Sequence, residues 1–114
     1  MSSTEAKLDL HDADAVCDVF HRAAIANTDL PQRQGSVVDV GDAGQLLVTG
    51  DLHDHRINFL KAIRLADLDA GADRHFLLQE LIHGERLING RDMSYRTSVQ
   101  AAELQLRYPG RVHA

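Results

Sequence analysis

Two short apolar runs, Leu46-Leu47-Val48-Thr49 and His75-Phe76-Leu77-Leu78, stand either side of a stretch with helical periodicity, and this succession constrains the chain more than any other feature. Each run is too short for a helix and suits a buried strand. Between them Phe59, Leu60, Ile63 and Ala66 recur at helical spacing, which predicts a helix from about Arg56 to Leu68 that fades at Gly71. Two strands joined by a helix pair as parallel neighbours, because the crossover carries the chain back to the edge where it started. The expected fold class is therefore α/β.

The flanking segments fit one domain. Ala13, Val16, Cys17, Phe20 and Ala24 form a single stripe, predicting a helix over about 12–27 that stops before Pro31. Polar Gln32 to Ser36 read as a loop. Val37–Val40 and Leu46–Thr49 flank Gly41-Asp42-Ala43-Gly44, a pattern that predicts a hairpin. Tyr95, Val99, Ala102 and Leu106 predict a third helix, ended by Pro109 and Gly110, with a strand starting at Val112. A chain of 114 residues supports one core, so residues 1–114 are expected to be a single domain whose site-bearing part runs over about 37–113.

The charge balance narrows the partners. With 12 Lys and Arg against 17 Asp and Glu, the net charge is −5, which offers no general basic surface to a nucleic-acid backbone. Cys17 is the single cysteine and cannot close an internal disulfide. No charged-then-apolar leader or long apolar run is present at the start. The expectation is a cytoplasmic protein that binds neither nucleic acid nor membrane.

The residues with chemical potential collect after the two predicted strands. In Gly50-Asp51-Leu52-His53-Asp54-His55 a carboxylate and an imidazole lie two apart where the first strand opens into a loop. Both can turn to one point at the carboxyl edge, where open α/β sheets place their ligands. Mixed oxygen and nitrogen donors suit Zn, Mn or Fe. Glu80 follows the second strand in the same way, so parallel pairing would carry it toward Asp51 and His53. His55 is a candidate supporting residue at the first turn of the helix. Asp39, Asp42 and Asp54 read as turn or solvated carboxylates.

With these residues in place, the segment Leu47-Val48-Thr49-Gly50-Asp51-Leu52-His53 resembles the Asp-x-His motif that opens the calcineurin-like metallophosphoesterases, which include the serine/threonine phosphoprotein phosphatases. Phe76-Leu77-Leu78-Gln79-Glu80-Leu81-Ile82-His83-Gly84 falls where that family has Gly-Asp-x-x-Asp-Arg-Gly. Leu104-Gln105-Leu106-Arg107-Tyr108-Pro109 resembles the helix end that leads to its third motif, Gly-Asn-His-Glu or Gly-Asn-His-Asp. The resemblance implies that Asp51 and His53 ligate the first metal and that Glu80 bridges two divalent ions, Mn, Fe or Zn. It places His83 at the acid that orients the family's catalytic histidine. It further implies hydrolysis of a phosphorylated substrate, protein or small ester, by a metal-activated water, on the N-terminal half of a β-sandwich flanked by helices.

The departures are specific. Asp54 and Gln79 replace Gly, Glu80 replaces Asp, His83 replaces an acid, and no Arg follows His83. The missing Arg removes a bidentate phosphate contact. The chain also ends before the third motif, so the domain is expected to be incomplete and to self-associate through an unpaired sheet edge. The alternative is a catalytically silent fragment of the same fold that acts as a binding or interaction module. A His-x-His pair on an amidohydrolase barrel is a third reading, and the length argues strongly against it, since such a barrel needs about 250 residues.

Overall fold

A computed structural model describes residues 7–114. Helix α1 (Ala13–Thr28) starts where Asp12 accepts a hydrogen bond from the Ala15 amide at 3.2 Å, the usual way a short carboxylate satisfies a free first-turn donor. It is followed by strands β1 (Arg33–Gln34) and β2 (Val37–Val38), which pair antiparallel across Gly35 and Ser36. Gly35 has φ +62°, the left-handed conformation that a two-residue hairpin turn requires. The hairpin thus lies earlier than the sequence predicts. The Gly41–Gly44 segment does not fold the chain back, and Val37–Val40 does not pair with the strand after it. At Gly44, with φ +94°, an added Cβ would sit 2.0 Å from the Asp73 carbonyl oxygen, so this glycine lets the chain pass close beside the next crossover.

The strand-helix-strand unit is present as expected. Strand β3 (Gln45–Asp51) leads through a loop into α2 (Arg56–Ala66), then a single 3₁₀ turn (Leu68–Ala70) and β4 (Arg74–Gln79). Helix α2 ends at Ala66, close to the Leu68 expected, and its C-cap Asp67, with φ of +46°, closes it in the left-handed manner. Helix α3 (Tyr95–Arg107) and strand β5 (Val112–His113) complete the chain. The sheet order is β3-β4-β5 and both pairings are parallel, which makes the domain a small mixed α/β structure. Arg111 fastens the lead-in to β5 by donating to the Leu68 and Gly71 carbonyls at 2.9 and 2.7 Å.

The core lies between one sheet face and the helices. Leu52, Phe59, Ala66, Leu68, Phe76, Leu78, Ala101 and Val112 form its main cluster, and Val19, Ala23, Val99 and Ala102 join α1 to α3. Phe59 and Phe76, 1% and 0% exposed, each contribute on the order of 2–3 kcal/mol by burial. The other sheet face is largely open. Leu46 and Val48 are 49% and 48% exposed, so β3 is an edge strand covered on one side rather than the buried strand that its apolar run predicts. No helix among the described residues is long and apolar enough to cross a membrane.

Candidate functional site

Parallel pairing brings the carboxyl ends of β3 and β4 together, with Asp51 opposite Gln79 after an irregularity in register between Val48 and Asp51. The contact continues past both strands. The His53 amide donates to the Glu80 carbonyl at 2.7 Å and the Asp54 amide to the Leu81 carbonyl at 2.9 Å. The two predicted site segments are thus one backbone-bonded unit. Its conformation is costly: of the five non-glycine residues with positive φ among the described residues, His53, Asp54, Glu80 and His83 are four. Such conformations cost on the order of 1 kcal/mol each and gather where the surrounding structure enforces them, commonly at functional sites. Gly84 has a different role, because a Cβ there would stand 2.7 Å from Asp54 Cβ and 2.8 Å from the His53 carbonyl oxygen. The absence of a side chain at 84 lets the two loops touch.

The three predicted ligands and His83 come together as two pairs. His53 Nε2 lies 3.6 Å from Asp51 Oδ2, and His83 Nδ1 lies 2.8 Å from Glu80 Oε1. An oxygen and a nitrogen on one metal ion at about 2.0–2.2 Å each stand about 3.0–3.4 Å apart, so Asp51 and His53 are near chelating separation. Glu80 instead turns to His83. A carboxylate can only accept here, so Nδ1–H of His83 donates to it, and in the neutral ring this leaves Nε2 with the lone pair. Among the described residues no three His, Cys, Asp or Glu side chains converge as a metal cage.

Asp51, His53, Asp54, His55, His83 and Arg96 line an open cleft of about 710 Å³ at this edge, and Glu80 does not line it. His55 is the N-cap of α2, with Nδ1 accepting from the Asn58 amide at 3.1 Å. With that nitrogen occupied, neutral His55 carries its proton on Nε2 and presents a donor rather than a metal-ligand lone pair. Asp39 is the turn carboxylate expected, accepting from the Gly41 amide at 2.8 Å.

Asp54 corrects the sequence reading. It does sit in the turn expected, closed by the His55 amide on the Leu52 carbonyl at 2.8 Å, but it is not solvated: its side chain is 3% exposed and fully bonded. Oδ1 accepts from the Thr97 amide at 3.0 Å and the Thr97 hydroxyl at 2.7 Å, and Oδ2 accepts from Arg96 Nη2 at 2.9 Å. Thr97 and Arg96 are in the first turn of α3, whose own N-cap, Ser94, makes no capping bond. Asp54 therefore caps a helix 43 residues away. Ser94 donates its amide and hydroxyl to Asp92 at 2.9 and 2.5 Å, which holds the Asp92 carboxyl below its ordinary value. Arg96, which sequence reasoning did not single out, has its Nε buried without a hydrogen-bond partner among the described residues. No local motif marks it, since only folding brings α3 beside the β3 loop. No protein-family model, curated protein or solved structure matches the chain.

Proposed function

We propose that the carboxyl edge of β3 and β4 is a divalent-metal site for phosphate-ester hydrolysis of the metallophosphoesterase type. The observation that supports this reading best is the placement of two carboxylate–imidazole pairs, Asp51 with His53 and Glu80 with His83, at the ends of adjacent parallel strands. Asp51 and His53 supply mixed oxygen and nitrogen donors that fit Mn, Fe or Zn. When bound, such an ion supplies Lewis-acid chemistry for the attack of water on phosphorus. His83, oriented by Glu80, exchanges a proton through Nε2 with the attacking water or the leaving oxygen. Glu80 accordingly acts as the orienting carboxylate for His83, a different role from the metal bridge that the resemblance implies.

The same reading takes the three-stranded sheet as one layer of a β-sandwich flanked by helices, with a second sheet packing on its open face. The substrate is a phosphorylated protein or small ester and the setting is cytoplasmic. A second reading, a non-hydrolytic metal- or phosphate-binding module, is favoured by the engagement of Glu80 with His83 instead of with Asp51 and His53. Calorimetric titration with Mn²⁺ and p-nitrophenyl phosphate turnover separate the two. Metal binding and turnover that both fall at least tenfold in Asp51→Asn support the phosphoesterase. Metal binding without turnover leaves the binding module, and a wild-type chain that takes up no Mn²⁺ removes the metal site from both.

A further inference from the structure

We infer that Arg96 is the anion-gripping residue of the cleft, contacting the phosphoryl oxygens of the substrate; this rests on the phosphoester reading above and gives that site its phosphate contact. Three observations lead to it. Arg96 lines the cleft together with Asp51, His53 and His83. Its guanidinium is held at a single point, the 2.9 Å bond from Nη2 to Asp54 Oδ2, and the partner is itself immobilised by the Thr97 amide and hydroxyl. One of five donors is therefore used for anchoring, and with Nε–H buried the two of Nη1 and the second of Nη2 remain for an anion.

The third observation is where the guanidinium is open: Nε is buried, whereas Nη1 is not among the buried atoms. The Arg96 side chain remains 26% exposed, so an oxyanion can reach the guanidinium from the cleft. Arg56 is the other arginine lining the cleft, but its side chain has no hydrogen bond or ion pair among the described residues and would have to be ordered on binding. A cation already fixed by a buried carboxylate grips an anion at lower entropic cost. An ammonium in its place would keep the charge and lose the fork.

The test is a titration of the full chain with inorganic phosphate in the presence of Mg²⁺, followed through the arginine Nε–H resonances by NMR. The Arg96 resonance should shift with saturation, and Arg96→Lys should weaken phosphate binding about tenfold or more while circular dichroism and the unfolding midpoint hold. A folded Arg96→Lys that binds phosphate unchanged overturns the assignment, as does an Arg96 resonance that stays still. Should Arg96→Lys fail to fold, the wild-type shift decides. Arg22→Gln, on α1 and outside the cleft, should bind phosphate as the wild type does, and an equal loss there overturns the choice of Arg96. The two proposals fail separately. Mn²⁺ uptake without a phosphate response at Arg96 removes this inference and leaves the metal site, whereas an Arg96 response in a chain that takes up no Mn²⁺ keeps the anion site and removes the metal.

Discussion

Asp54 joins two parts of the chain that have no local reason to meet. Its oxygens satisfy a helix-terminal amide, a hydroxyl and a guanidinium in a nearly solvent-free position. Removing such an acceptor leaves the Arg96 cation and the Thr97 amide unpaired, so Asp54→Ala should lower stability by about 3–5 kcal/mol, and Asp54→Asn by less because the amide oxygen can still accept from Thr97. Urea unfolding of the two variants checks the order. Gly84 belongs to the same scale. A methyl group there meets Asp54 and the His53 carbonyl below 3 Å and must push the loops apart. Gly84→Ala should cost about 1–3 kcal/mol and weaken Mn²⁺ binding by separating the paired strand ends. Unchanged stability and affinity would mean that the 80–84 loop yields freely.

At the scale of elements, β5 is the short strand whose attachment depends on protonation. His113 in β5 stacks on His75 in β4, with ring centroids 5.4 Å apart and His75 Nδ1 3.2 Å from His113 Nε2. One proton can sit between the two nitrogens, but two charged rings repel. Burial first, then the charges of His75 and Arg33, hold the His113 imidazole below its ordinary value of 6.5. The unfolded chain therefore binds a proton at this position before the folded one does. The stability that neutral His113 contributes is present above pH 6.5 and is lost as the pH falls below it. The urea midpoint should drop between pH 7.5 and 5.5, and His113→Gln should flatten that drop. A slope unchanged in His113→Gln would assign the acid sensitivity to the other histidines.

For the whole molecule, the uneven covering of the sheet decides behaviour in solution. All the main core residues lie on the helix side, while Leu46, Val48 and Val37 stand 49%, 48% and 66% exposed. An edge strand with free backbone groups beside apolar side chains pairs readily with another copy. Sedimentation at rising concentration should show self-association, and Leu46→Lys with Val48→Thr should reduce it. A monomer at all concentrations would show that the exposed face is not adhesive.

The α/β class, the three helices and the β3–α2–β4 unit were legible in the sequence because apolar periodicity and short β runs are local signals. The position of Asp51, His53 and Glu80 at strand ends followed from the same pattern. The early hairpin was missed because the left-handed turn at Gly35 competes with the segment 41–44, which holds two glycines, and only the parallel partner of β3 decides between them. The same holds for the site. Residue type and spacing mark Asp51 and His53, but tertiary packing turns Glu80 to His83, buries Asp54 under α3 and brings Arg96 into the cleft. Contacts 42 and 43 residues apart are set by how helices close over the sheet, a choice that no local pattern encodes.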